Sequence, residues 1–159
     1  MVPYATSKPS EIALEHAITI AKMSAIYANS TINVIVVYVV HEIPVPATFG
    51  ISLFKSKQTR DRITLEQYLK DTTLEIKKDV ENILEDNIEE YKNIDNASLQ
   101  TQVIIGNPSE EIIKFANDEK IELIVMGTTG LGGLSKIVSG SVARNVSEKA
   151  KCPVMLVHN

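Results

Sequence analysis

The sequence predicts an α/β domain: a parallel open sheet covered by helices. Strand-like and helix-like segments alternate along the chain. Two strand segments, Ile32–Val40 and residues 121–126, are apolar on both faces, as strands covered from both sides are. Helical segments begin at recognisable capping residues. In such folds ligands bind beyond the carboxyl ends of the strands, where the strand order reverses.

The 159 residues suffice for one compact core and are too few for two, so a single domain over 1–159 is expected. Apolar residues make up 44% and charged residues 23%, which is globular rather than disordered usage. A net charge of −4 gives no reason to expect nucleic acid, and no basic amphipathic segment suggests a membrane surface. No apolar run reaches about 18 residues, and the opening lacks a signal peptide's charged and apolar regions, so a soluble cytoplasmic protein is expected. The lone Cys152 has no internal disulfide partner and reads as a small core residue.

Residues 1–5 are expected to form a clipped first strand, because only Met1, Val2, Pro3, Tyr4 and Ala5 are available to it. Ser7 then caps a helix, with Pro9 in the first turn and Glu11 at the positive end. Leu14, Ala17, Ala21, Ser24 and Ala25 form a small-residue stripe suited to a sheet, while Glu11, Glu15 and Lys22 face water. Ile32–Val40 is the strongest strand and therefore central. His41 reads as a loop residue, and His16 and His158 have still less to mark them as functional. Residues 42–59, with Pro44, Pro46 and Gly50, read as a long mobile connection. The other reading is a lid or partner-binding insertion, because Ile51, Leu53 and Phe54 are wasted on an inert loop.

Helical period returns over residues 60–91, where Leu65, Leu69, Thr72, Ile76, Val80 and Ile83 line one face. This rhythm also suits a coiled coil but spans few heptads, so packing on the sheet is preferred. Asp79, Glu81, Glu85, Asp86, Glu89 and Glu90 read as a solvated face, and residues 93–97 as a polar turn. Residues 99–105 alternate before becoming apolar, as a strand near a sheet edge does. Asn107 caps the next helix, with Pro108 first and Glu110 able to bond back. Ile112, Ile113 and Ala116 face inward. After residues 121–126 comes Gly127. A last helix starts at Gly140 and Ser141, with Val142, Asn145, Val146 and Ala150 near helical spacing and Arg144, Glu148, Lys149 and Lys151 on the polar side.

Residues 126–142 read M-G-T-T-G-L-G-G-L-S-K-I-V-S-G-S-V. The first amides of a helix have no partner within it and its dipole places positive charge there, so an anion is a natural ligand. Glycines let a phosphate approach the backbone, and Ser141 adds a hydroxyl donor. Glycines alone also fit a flexible loop. The segment is not a P-loop, which needs lysine where Gly133 stands, and it does not fit G-x-G-x-x-G. It does fit G-x-x-G, nine residues, then G-S, at Gly127, Gly130, Gly140 and Ser141. No cluster of histidine, cysteine and carboxylate has metal-ligand spacing.

This spacing resembles the nucleotide-binding signature of the universal stress protein family, in its ATP-binding branch. The resemblance runs on through Ser141-Val142-Ala143-Arg144-Asn145-Val146 and Lys151-Cys152-Pro153-Val154-Met155-Leu156-Val157. At the opening, the family's Val-Pro-Tyr-Asp-Gly-Ser is matched by Val2, Pro3, Tyr4, Ala5, Thr6 and Ser7, without the aspartate. The resemblance implies an adenine nucleotide alpha hydrolase-like, Rossmann-like fold: three layers around an open parallel five-stranded sheet of order 3-2-1-4-5. Ala5 and Gly127 then meet at the switch point. The implied nucleotide site is Pro3, Ala5 and Val39 around the adenine and Gly130, Gly140 and Ser141 along the phosphates, with Met126, Gly127 and Val142 beside them.

The implied ligand is ATP or AMP, with Mg2+ or Mn2+ held by phosphates and water because the signature carries no carboxylate. Implied partners are an unidentified protein and a second copy of the chain through Val154, Met155, Leu156 and Val157, an apolar edge strand that itself invites pairing. The expectation is a regulatory nucleotide-binding protein with a stress-response role. Catalysis is disfavoured, since the glycine stretch has no general base or nucleophile with an orienting partner. The alternatives are a slow ATPase or adenylyl-transferring enzyme, and a dimeric interaction module whose nucleotide site Ala5 marks as degenerate.

Overall fold

The computed structural model describes residues 1–41, 65–88, 97–128 and 140–158. The connection at 42–59, Gly130 and most of the polar turn at 93–97 lie outside the described residues. Along the chain run β1 (Val2–Pro3), α1 (Lys8–Ala28), β2 (Ile32–Val40), α2 (Leu65–Ile88), β3 (Ala97–Ile105), α3 (Pro108–Asp118), β4 (Ile124–Gly127), α4 (Ser141–Lys149) and β5 (Val154–Val157). All strand pairs are parallel.

The strands pair as β1-β2-β3 and as β4-β5. Two hydrogen bonds link these groups: Met1 N donates to Leu123 O at 2.8 Å, and Val125 N donates to Met1 O at 3.0 Å. The expected order 3-2-1-4-5 is thus present in its outer pairings, and its centre is a seam at Met1 rather than a full ladder. The physical reason is the shortness of β1, which pairs with β2 only through Val2 and Pro3, the latter without an N–H to give.

Layers form on both faces because β2 alternates. Val34 and Val36 join Leu14, Ala17, Ile18 and Ala21 of α1, with Val80 of α2 packed against this group. Val37 points the other way, to a cluster with Ile112 and Ala116 of α3, Ile124 and Met126 of β4, and Ala143 and Val146 of α4. Met1 joins this second cluster as well. Burial on both sides accounts for strands without a polar face.

The helix ends follow local chemistry. At α1 the Ser7 backbone N–H donates to Ser10 Oγ at 3.0 Å, and that hydroxyl donates to Ser7 O at 2.7 Å. At α3 Asn107 Oδ1 accepts from the amides of Ser109 and Glu110 at 3.1 and 3.4 Å. Ser24 departs from the expected stripe and is exposed. Met23, Ile26 and Tyr27 are exposed as well, on the face opposite the buried Ala21 and Ala25. No helix among the described residues is long and apolar enough to cross a membrane.

Candidate functional site

The carboxyl end of β4 is where the fold converges. Gly127 closes that strand against the first turn of α1: a Cβ on Gly127 would lie 2.7 Å from Pro9 Cβ and 2.8 Å from the Pro9 carbonyl carbon. Pro9 is the residue that a side chain on Gly127 would meet at this junction. The missing side chain at Gly127 therefore serves close packing of helix on strand.

Thr128 follows and is 5% exposed. Its N–H donates to Val157 O at 3.0 Å, which carries the β4–β5 pairing one residue further. Its carbonyl accepts from Gly140 N at 2.6 Å. Its Oγ1 lies 3.3 Å from His158 Nδ1, a hydrogen bond in which either side donates according to the imidazole tautomer. The chain that leaves after Thr128 thus returns to the same residue at Gly140. The sequence reads Pro9 only as a first-turn helix residue and gives His158 no role, and it does not single out Thr128. The available signal for Thr128 was a polar residue directly after a buried strand and between two motif glycines.

α4 begins at this closed stem. Gly140 has φ −58° and ψ 152°, and Arg144 N donates to Gly140 O at 3.0 Å, the first bond of the helix. The amides of Ser141, Val142 and Ala143 precede that bond, and Gly140 has no side-chain oxygen to offer them. α4 also has no acidic residue in its first turn, unlike α1 with Glu11 and α3 with Glu110 and Glu111. Backbone N–H groups and the positive end of the helix dipole are the groups this terminus presents to a ligand.

The expected site residues divide between two strand ends. Pro3 is buried and pairs with Val37, and Val39 is half-buried opposite Ile104. Ala5 is half-buried just beyond β1. On the other side Met126 is a core residue at 4% exposure, so only its backbone is free to face a ligand, while Gly127 pairs with Val157. Ser141 is exposed at the start of α4, and half-buried Val142 packs on the second core cluster. Gly130 falls outside the described residues. The seam at Met1 holds the two sides together. Tyr4, buried between them, gives its amide to Val37 O at 2.8 Å. Burial, and then the Glu11 carboxylate, push its hydroxyl above the usual phenol range, so it stays a neutral group.

No group of three or more histidine, cysteine, aspartate and glutamate residues able to hold a metal occurs among the described residues. The donors here are amides and hydroxyls, which suit an anion.

The universal stress protein family model matches residues 1–158. Among curated relatives, universal stress protein MJ0577 of Methanocaldococcus jannaschii is 30% identical over 99% of this chain and 92% of its own length. Universal stress protein MJ0531 of the same organism is 49% identical over a shorter stretch, 37% of this chain and 35% of that protein. The solved structure of MJ0577 superposes with a TM-score of 0.74 at 25% identity, covering 99% of this chain and 93% of that one. A universal stress protein solved in complex with cAMP shares the fold, with a TM-score of 0.56 at 21% identity over 96% of this chain and 89% of that one. On the match along almost its whole length, this chain belongs to the universal stress protein family.

Proposed function

We propose that this protein binds an adenine nucleotide, ATP or AMP, between the ends of β1 and β4, and acts as a regulatory rather than catalytic protein in a cytoplasmic stress response. The observation that carries the reading is the β4–α4 junction. There the stem of the G-x-x-G, nine residues, G-S segment is closed on Thr128, beside a helix terminus that has no side-chain cap from Gly140 and no first-turn carboxylate. A phosphate is the ligand such a terminus takes. Family membership and a family structure of this fold with cAMP support the adenine end. Gly130, Gly140 and Ser141 take the phosphates, with Gly127 and the Met126 backbone alongside and Val142 behind. Pro3, Ala5 and Val39 face the base. Mg2+ or Mn2+, where present, is held by the phosphates and water. A second copy of the chain pairs along β5, and a protein partner reads the loaded state.

Ala5 shapes the expected binding. Where the family's opening carries aspartate, this chain offers no side-chain acceptor to the nucleoside. One such contact is worth about 0.5–1.5 kcal/mol, so affinity is expected within about tenfold of an aspartate-bearing protein. Calorimetric titration of ATP, GTP and adenosine at fixed magnesium tests both points. ATP should bind, adenosine should bind poorly, and Ala5→Asp should gain about two- to tenfold for ATP with sharper rejection of GTP. Absence of any binding to the parent refutes the function, and release of phosphate at a steady enzymatic rate refutes the non-catalytic part.

A further inference from the structure

Thr128 and His158 are not among the residues of the implied nucleotide site, yet buried Thr128 and exposed His158 form a part-buried polar junction that touches both ends of the glycine-rich segment. A buried hydroxyl is stable only when paired, and here its partner is the imidazole that directly follows β5. Through its backbone the same residue continues the β4–β5 ladder and accepts from Gly140 N at 2.6 Å. The position of Gly140, and with it the direction of the Ser141, Val142 and Ala143 amides, is therefore fixed by where Thr128 sits. Two backbone bonds alone leave Thr128 at the fraying end of a short parallel pair, whose last register is Gly127 with Val157. The side-chain bond to His158 adds the third tether.

We propose that Thr128 and His158 form a latch of positioning residues that holds the start of α4 in register with β4, and so sets affinity for the phosphate-bearing part of the ligand. The proposal rests on the nucleotide reading for its ligand, and on the Thr128, Gly140 and His158 geometry for its mechanism. The latch touches neither base nor ribose. Loosening it should therefore cost ATP binding and leave adenosine binding unchanged.

The test is a double-mutant cycle in the full chain with Thr128→Val and His158→Ala, plus Thr128→Ser as the conservative variant. Each of the first two should weaken ATP by about two- to tenfold, the worth of one neutral hydrogen bond. The double variant should be no weaker than the poorer single, because both remove the same bond. Thr128→Ser should keep parental affinity. Amide hydrogen exchange at Gly140, read by nuclear magnetic resonance without ligand, should speed up in Thr128→Val and His158→Ala and not in Thr128→Ser. Additive losses in the cycle overturn the latch, as do equal losses for ATP and adenosine, or unchanged Gly140 exchange. A parent that binds neither ATP nor adenosine overturns the nucleotide reading and the affinity role with it. The exchange measurement then still decides whether Thr128 and His158 hold the stem.

Discussion

Thr6 sits at φ +46°, in the left-handed region that a β-branched side chain resists. The conformation costs about 1–2 kcal/mol for an ordinary L-residue. It is needed because β1 ends at Pro3 and the chain must turn sharply to bring Ser7 to the cap of α1. In the family's opening the corresponding place is glycine. Thr6→Gly is expected to raise unfolding stability by about 0.5–1 kcal/mol, since relief of the left-handed penalty exceeds the extra chain entropy glycine loses. Urea denaturation checks this, with a higher midpoint at unchanged slope as the expected result and a lower one as the refutation. Residues whose roles are local were legible in the sequence: Ser7 and Asn107 are caps as read. Pro9, Thr128 and His158 were not, because their partners lie on other elements and no local pattern encodes the meeting.

Elements were legible where an apolar run or a cap marks them, and their boundaries shifted where tertiary hydrogen bonds intervene. The run at 121–126 looked like strand throughout, yet β4 is Ile124–Gly127. Its first residue is used to finish α3: Ile121 N donates to Ala116 O at 2.9 Å across Lys120, which has φ +51°. β3 is longer than its apolar part, starting at Ala97, because Ser98 Oγ donates to Asn33 Oδ1 on β2 and polar residues are welcome at an edge. The packing of α1 on β4 makes a prediction about Gly127. Gly127→Ala should lower stability by about 1–3 kcal/mol, the usual cost of overpacking, since its Cβ meets Pro9 at 2.7 Å. A thermal melt decides the matter. An alanine variant as stable as the parent that binds nucleotide poorly would mean that Gly127 serves the ligand and not the core.

At the scale of the whole molecule, the class of fold was legible from alternation and from strands without a polar side. The seam at Met1 was not, because it depends on how few residues β1 contributes. β5 pairs only with β4 among the described strands, and its other edge is the one through which the proposed pairing with a second copy would run. Val154 and Leu156 pack on the core, so charges there would damage the fold before testing an interface. Met155 is the cleaner probe, at 37% exposure. The parent should sediment as a dimer at micromolar concentration, and Met155→Lys should weaken that dimer by about tenfold or more, since a desolvated ammonium costs several times RT. A monomeric parent would refute pairing through β5.

The Met1 seam has a consequence for the chain during its synthesis. Met1 and Leu123 are 122 residues apart in sequence, so the inner edge of β1 has no neighbour until most of the chain has been made. At about 5–20 residues per second, that interval is about 6–24 s. β2 and β3 reach each other sooner, and the nascent protein therefore grows from one flank inward. The middle of its sheet cannot close before β4 is made, and until then a strand edge stands open at a place the finished protein covers.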